Sequence, residues 1–151
     1  MQYTLFEELS DEKRESVCSM LRDFNRAGNP IFYAARELPE NLPRPLNIIA
    51  CDAEKSVVGG LLAETQFAWL KISILVVAES ARRDGIGRRL MDLAEREAAN
   101  RGCEYAYLDT MDFQAPDFYC KLGYQIAGKI DNWDSQGHTK FFFTKRLKNS
   151  D

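Results

Sequence analysis

The sequence has little of what metal sites and disulfide-bonded scaffolds require. Its 151 residues contain a single histidine and four cysteines that lie far apart, with no C-x-x-C pair: His138, Cys18, Cys51, Cys103 and Cys120. Metal centres and disulfide frameworks usually show clustered or regularly spaced ligands. We therefore expect no metal site, and reduced cysteines that serve mostly as core residues.

Long apolar runs and an excess of positive charge are also absent. No stretch is apolar for long enough to cross a bilayer, and the polar N-terminus does not resemble a signal peptide. The formal net charge of -3 gives no electrostatic footprint for nucleic acid. The sequence therefore predicts a cytoplasmic protein with neither a membrane nor a nucleic-acid partner.

The composition is that of an ordinary globular protein. Apolar residues make up 45% of the chain and charged residues 28%, values typical of a domain with a normal core. No internal repeat, low-complexity tract or linker divides the sequence. We therefore expect residues 1–151 to form one domain.

The order of predicted elements indicates an α/β mixture (α+β) with a largely antiparallel sheet. Apolar patterning and turn signals predict strands at residues 3–6, 46–51, 57–66, 69–77, 105–110, 124–130 and 139–146. A long helix at 84–100 links two of these strands, which should be parallel and right-handed. A ligand-binding crevice is expected beside this crossover.

Two features of the helices can be read from the same pattern. Ser10 is a typical cap for a first helix, and Pro116 to Leu122 predicts a short one. The inner stripe of the long helix is predicted to contain Ile86, Leu90, Leu93, Ala94, Glu97 and Ala98. The segment 26–45 holds four of the five prolines, which predicts an irregular loop with a short helix near Tyr33 to Glu37.

The start of the long helix carries an unexpected charge. A helix N-terminus has partial positive charge and prefers Asp or Glu, yet this one is surrounded by four arginines: Arg82, Arg83, Arg88 and Arg89. Gly85 and Gly87 allow a ligand to approach the backbone, where free N–H groups of a first helical turn bind phosphate. These features together predict a site for a small anion.

Two common phosphate-binding motifs do not match this turn. A P-loop requires G-x-x-x-x-G-K-[ST], which the sequence lacks. A dinucleotide fingerprint requires a third small residue where Leu90 stands, although Asp109 falls about where a ribose-binding acid would. A doubly wound sheet also needs several β-α-β units, and the chain predicts one.

A third motif matches, and it resembles that of the GNAT superfamily of N-acetyltransferases. R-x-x-G-x-G at residues 82–87 is the form Q/R-x-x-G-x-G/A of that family. Downstream, D-F-Q-A-P-D-F-Y-C-K-L-G-Y at residues 112–124 is similar to the family's second motif, N-x-x-A-x-x-x-Y-x-x-x-G-F. Asp112 takes the Asn position and Tyr119 the Tyr position.

The resemblance implies a fold, a cosubstrate and a set of site residues. The fold is a six- to seven-stranded mixed sheet with helices on both faces and a splayed fourth strand, here residues 69–77. The cosubstrate is acetyl-CoA, with no metal. Its binding residues would be Leu75, Val76, Val77, Arg82, Arg83, Asp84, Gly85, Ile86, Gly87, Arg88, Asp112 and Tyr119.

The resemblance also implies the catalytic groups of an acetyl transfer. Backbone N–H groups of the splayed strand, by position those of Leu75 and Val77, would stabilise the thioester oxygen. Tyr119 would protonate the departing sulfur. Transfer is expected to be direct, within a ternary complex, because Cys120 points about 100° away from Tyr119 on a helix.

Asp84 departs from the family pattern. An acid in the middle of the arginine cluster would repel pyrophosphate if it pointed inward. We therefore expect Asp84 to turn outward or to cap the helix.

The general base and the acceptor are not fixed by the sequence. Candidates for the base are Glu64, Glu79, His138 or a water chain. The acceptor would be a primary amine of a small molecule or a protein, bound near residues 26–45, 66–69 and 132–138. A homodimer is a family-level expectation. The alternative function is a non-catalytic CoA-binding sensor or interaction module of the same fold.

Overall fold

The structure, a computed structural model, describes residues 3–147, and the chain divides at Leu42 into two compact units. The N-terminal unit contains α1 (Asp11–Gly28) and α2 (Pro30–Arg36), followed by a 3-10 turn at Pro39–Asn41. The Ser10 side chain accepts a hydrogen bond from the Lys13 N–H, which confirms the predicted cap. No helix within residues 3–147 is long and apolar enough to cross a membrane.

One prediction for the N-terminal unit is wrong and another holds in part. Residues 3–6 form no strand, because a strand requires ladder hydrogen bonds that local propensity alone does not provide. The short helix expected near Tyr33 to Glu37 is present as α2, which Pro30 opens, but the segment 26–45 is less irregular than predicted, because Pro39 opens a further 3-10 turn. Proline is favoured at such a first position, where its missing N–H costs no hydrogen bond.

The C-terminal unit is a six-stranded sheet, as the fold class predicted, with two helices. Its strands are β1 (Arg44–Cys51), β2 (Val57–Gln66), β3 (Trp69–Val77), β4 (Tyr105–Met111), β5 (Gln125–Ile130) and β6 (Lys140–Arg146). They lie in the order β1-β2-β3-β4-β6-β5, and only β3 and β4 are parallel. The helices are α3 (Ile86–Asn100) and α4 (Pro116–Lys121). The predicted mixed, largely antiparallel sheet is confirmed.

Helix α3 packs its apolar stripe on the sheet. Leu90, Met91, Ala94 and Ala98 are buried and join a core that includes Phe143. Leu93 is 43% exposed and Glu97 is also exposed, so their assignment to the stripe was wrong. At about 100° per residue, Leu93 lies well away from the face centred between Leu90 and Met91.

Strands β3 and β4 pair along only half of their length. Trp69–Ile72 pairs with Tyr105–Leu108, and β4 then continues to Met111 without β3 beside it. A bulge marks the divergence: Ala63 of β2 pairs with Ile72 and Leu62 pairs with Ile74, which leaves Ser73 as an extra residue. A bulge bends its strand and increases the local twist. The splay that the resemblance implied is present, on the third strand because residues 3–6 form none.

Candidate active site

A pocket of about 840 Å³ lies within the C-terminal unit where β3 and β4 separate. Its walls come from the splayed half of β3, the end of β4, the start of α3, and α4 with the turn before it. The residues that line the pocket include Ser73, Leu75, Val76, Val77, Arg82, Arg83, Gly85, Ile86, Gly87, Arg88, Asp109, Phe113 and Tyr119. The predicted crevice beside the crossover is therefore present.

The backbone of β3 presents hydrogen-bond donors to this pocket. The Ala78 N–H donates to the Val58 carbonyl of β2, 2.8 Å away. Because directions alternate along a strand, the N–H groups of Leu75 and Val77 point away from β2, towards the gap. Strand β4 pairs with β3 no further than Ile72 in the part of the chain that the structure describes. These two N–H groups therefore face the pocket without a strand partner.

The first turn of α3 forms a second set of donors. Gly85 is the N-cap with φ of 74°, a left-handed conformation, and no side chain caps this end. The first N–H groups of a helix have no acceptor within it, and Ile86, Gly87 and Arg88 all line the pocket. Backbone donors and the helix dipole thus favour an anion here.

Three arginine side chains surround this turn. Arg82, Arg83 and Arg88 line the pocket and are exposed, whereas the fourth arginine, Arg89, is not part of the lining. The Arg82 Nε donates to the Val77 carbonyl at 3.4 Å. This contact ties the arginine cluster to the end of the splayed strand.

Asp84 does not cap α3. Gly85 holds the N-cap position, and Asp84 is exposed and lies outside the pocket lining. Asp84 was expected either to turn outward or to cap the helix, and only an outward position agrees with the structure. The structure therefore does not bring the Asp84 side chain to the proposed anion site.

Of the two glycines of the motif, Gly85 is the one that its backbone conformation requires. It has a positive φ, and the structure shows nothing within 4 Å of a Cβ added there. At Gly87, an added Cβ would lie 3.4 Å from the Phe118 ring and 3.7 Å from Val77. These are ordinary van der Waals distances, so the packing of α3 on α4 and β3 does not itself require glycine at position 87.

Tyr119 lies on α4 and lines the pocket although it is only 9% exposed. Its ring packs against Phe118 and Phe143, with centroids 5.1 and 5.9 Å away. Burial raises the pKa of the Tyr119 hydroxyl above its ordinary value. The hydroxyl is therefore protonated at neutral pH and is able to donate a proton or a hydrogen bond.

Asp112 contacts His138 and Thr139 at the start of β6. Its carboxylate accepts the Thr139 N–H at 2.9 Å and lies 2.9 Å from the His138 Nδ1. The Thr139 N–H and then His138 lower the pKa of Asp112. Asp112 lies outside the lining, so the structure does not bring it to the pocket but uses it to hold the start of β6.

Asp109 is the acid that sequence reasoning missed. It is the only acidic side chain that lines the pocket within residues 3–147, whereas the candidate bases Glu64, Glu79 and His138 do not line it. The sequence drew attention to Asp109 only as a ribose-binding acid. Asp109 lies near the end of β4, the strand that follows the crossover helix, and this position could have identified it from the sequence as a residue of the predicted crevice.

Comparison with known proteins identifies the family. Residues 5–124 match the model of the Acetyltransferase (GNAT) family. The chain belongs to this family. As a GNAT protein, it is an acetyl-CoA-dependent acetyltransferase, which confirms the resemblance carried by the two motifs.

Relatives of this acetyltransferase cover almost its whole length. It is 35% identical to a blasticidin-S acetyltransferase of Streptomyces morookaense over 131 residues, 84% of this chain and 96% of the relative. An acetyltransferase of Bacillus cereus, solved by crystallography, superposes with a TM-score of 0.76 at 29% identity, covering 95% and 98% of the two chains. An aminoglycoside 6'-N-acetyltransferase solved with coenzyme A has the same fold, with a TM-score of 0.61, 23% identity and coverage of 95% and 98%.

Proposed function

We propose that this enzyme transfers the acetyl group of acetyl-CoA directly to a primary amine of a small molecule. The observation that carries the proposal is one continuous pocket that joins an arginine-lined helix N-terminus to unpaired backbone donors of the splayed β3. The relative that is named a blasticidin-S acetyltransferase supports a small-molecule acceptor.

The phosphates of acetyl-CoA would bind at the start of α3. The open N–H groups of Ile86–Arg88 suit a pyrophosphate, and Arg82 and Arg83 add positive charge beside them. The pantetheine arm would then run along β3, where the exposed side chain of Val76 forms part of the pocket wall. Coenzyme A bound to a relative of the same fold supports this assignment.

The transfer itself needs an oxyanion site and a proton donor. The amine nitrogen attacks the thioester carbon, a C–N bond forms and the C–S bond breaks. The N–H groups of Leu75 and Val77 would stabilise the negative charge that develops on the carbonyl oxygen, and one such donor is commonly worth about 3 kcal/mol. An acceptor that is protonated at neutral pH would first lose one proton to solvent, so that the neutral amine attacks. The Tyr119 hydroxyl would then protonate the departing thiolate and regain its proton from solvent, while the nitrogen loses its second proton to solvent.

Release of free thiol from acetyl-CoA tests the proposal. With a panel of primary amines that includes blasticidin S, we expect thiol release to depend on the amine and to match the amount of acetylated product. Arg88→Gln should raise the acetyl-CoA KM about two- to fivefold, the effect of losing one exposed ion pair. Arg89→Gln is the matched control, because this neighbouring arginine lies outside the lining.

Two results would count against the proposal. Thiol release that no amine increases, despite binding of acetyl-CoA, would favour the non-catalytic CoA-binding module. Equal acetyl-CoA KM values for Arg88→Gln and Arg89→Gln would remove the arginine cluster from phosphate binding.

A further inference from the structure

We propose that Asp109 binds the acceptor's amino group, so that the acceptor is an aliphatic primary amine that is cationic at neutral pH. This inference rests on the acetyl transfer proposed above and assigns the acceptor end of the same pocket. Four observations support it: the charge of the pocket, the position of Asp109 in the splay, the face of the sheet on which it lies, and its present partners.

The charges of the pocket are separated. Arg82, Arg83 and Arg88 lie at the start of α3, and Asp109, on β4, is the only acidic side chain of the lining within residues 3–147. A cationic amine is repelled by the arginines and attracted to the Asp109 carboxylate, where it would compete with the Lys140 ammonium group 2.8 Å away. The two ends of the pocket thus suit two ligands of opposite charge.

Asp109 lies at the point where the strands part. The last β4 residue that pairs with β3 is Leu108, and Asp109 follows it directly. Across the gap, Ser73 is the bulge residue of β3 and lines the same pocket. Asp109 and Ser73 therefore border the same gap between the two strands.

The alternation along β4 turns Asp109 away from α3. Leu108 and Thr110 are buried, and Leu108 belongs to the core that contains the inner stripe of α3. The exposed Asp109 between them points to the opposite face. An amine can then reach the gap from one face of the sheet while acetyl-CoA lies on the other, as direct transfer requires.

The present partners of Asp109 show that this carboxylate already holds an ammonium group. The Lys140 Nζ lies 2.8 Å from the Asp109 Oδ1 and 4.6 Å above the Trp133 ring, and the Tyr107 hydroxyl donates to Oδ2 at 3.2 Å. An ionised carboxylate accepts about four hydrogen bonds. Asp109 is therefore held in place by two side chains, and its carboxylate retains acceptor capacity.

Two substitutions that break the same ion pair test the proposal. Asp109→Asn should raise the KM of an alkylamine acceptor at least tenfold and leave the acetyl-CoA KM within twofold of wild type. Lys140→Gln should leave the alkylamine KM unchanged or lower it, because it removes the competing ammonium and retains the carboxylate. If the ion pair had only a structural role, both variants would change the alkylamine KM to the same extent.

The control variant is Glu97→Gln. Glu97 is also an ion-paired carboxylate, 2.8 Å from the Arg101 Nε, but it lies at the far end of α3 outside the pocket. We expect wild-type kinetics from it. Asp109→Asn should raise the KM of an uncharged arylamine acceptor much less than it raises the KM of the alkylamine.

The results distinguish a failure of the Asp109 assignment from a failure of the proposed function. If Asp109→Asn and Lys140→Gln raise the alkylamine KM equally, or if Asp109→Asn behaves as Glu97→Gln does, the assignment of Asp109 is overturned while acetyl transfer stands. If the wild-type enzyme acetylates no amine although it binds acetyl-CoA, the proposed function fails, and the role of Asp109 fails with it.

Discussion

Tyr119 combines a position on the pocket wall with nearly complete burial. Tyr119 lines the pocket, while its ring packs against Phe118 and Phe143. Because burial raises its pKa, the hydroxyl keeps its proton to a higher pH than the ordinary value near 10. Tyr119 is thus suited to donate a proton throughout the neutral range.

Tyr119→Phe tests this role. Removing the hydroxyl should lower kcat by about 10²-fold, the usual minimum for loss of a general acid, with little change in the acetyl-CoA KM. In the wild-type enzyme, any alkaline decline in kcat caused by Tyr119 should lie above pH 10, because the raised pKa delays loss of the proton. Steady-state kinetics against pH measure both effects.

Tyr105→Phe is the matched control for Tyr119→Phe. The Tyr105 ring stacks on Trp69 with centroids 5.0 Å apart, and the residue lies outside the pocket lining. We expect this variant to keep the wild-type kcat. An unchanged kcat in Tyr119→Phe would remove the acid role and leave Tyr119 as a core residue.

The sequence predicted the backbone donors and the arginines of the pocket better than it predicted the acidic residues. Leu75, Val77 and Arg88 were predicted from their positions relative to the motif of the family that the sequence resembles, and all three line the pocket. The surroundings of Asp109 and Asp112 depend on tertiary partners. Lys140 and Thr139 are contributed from β6 and the segment before it, and no local pattern predicts those pairings.

At the scale of elements, the start of α3 depends on the backbone conformation of Gly85. A left-handed φ costs a residue with a Cβ about 1–2 kcal/mol, and no neighbouring atom lies within 4 Å to add a steric term. We therefore expect Gly85→Ala to lower the free energy of unfolding by about 1–2 kcal/mol, measured by chemical denaturation. Gly85→Asn should cost less, because asparagine tolerates this conformation better.

Gly128→Ala is the control for this prediction. Gly128 lies in β5 without a left-handed φ, and nothing is within 4 Å of an added Cβ. Its substitution should change the unfolding free energy by less than about 0.5 kcal/mol. If Gly85→Ala is as stable as Gly128→Ala, the left-handed cap does not constrain the chain.

The elements of the C-terminal unit were predictable because their patterns are long. Strands β2 and β3 have their predicted bounds, and α3 begins two residues later than expected because Gly85 caps it. Errors concentrate in the N-terminal unit, where short patterns and prolines gave weaker signals. The prolines of segment 26–45 predicted an irregular loop with one short helix, whereas two of them begin helical turns.

At the scale of the whole protein, function depends on a pocket with two chemically different ends. The arginines and open N–H groups at the start of α3 suit an anion, and Asp109 at the end of β4 suits a cation. Neither end was visible in the net charge of -3. The sequence predicted the anion end through a motif, whereas the cation end required the sheet topology.

Single-turnover transfer of isotope-labelled acetyl from acetyl-CoA to a primary amine is the most direct test of the proposed reaction. We expect the label to move to the amine nitrogen in the ternary complex, with no labelled protein accumulating at any time. Label that appears on Cys120 before it reaches the amine would contradict direct transfer. Label that reaches no amine, although acetyl-CoA binds, would contradict the proposed amine acetylation.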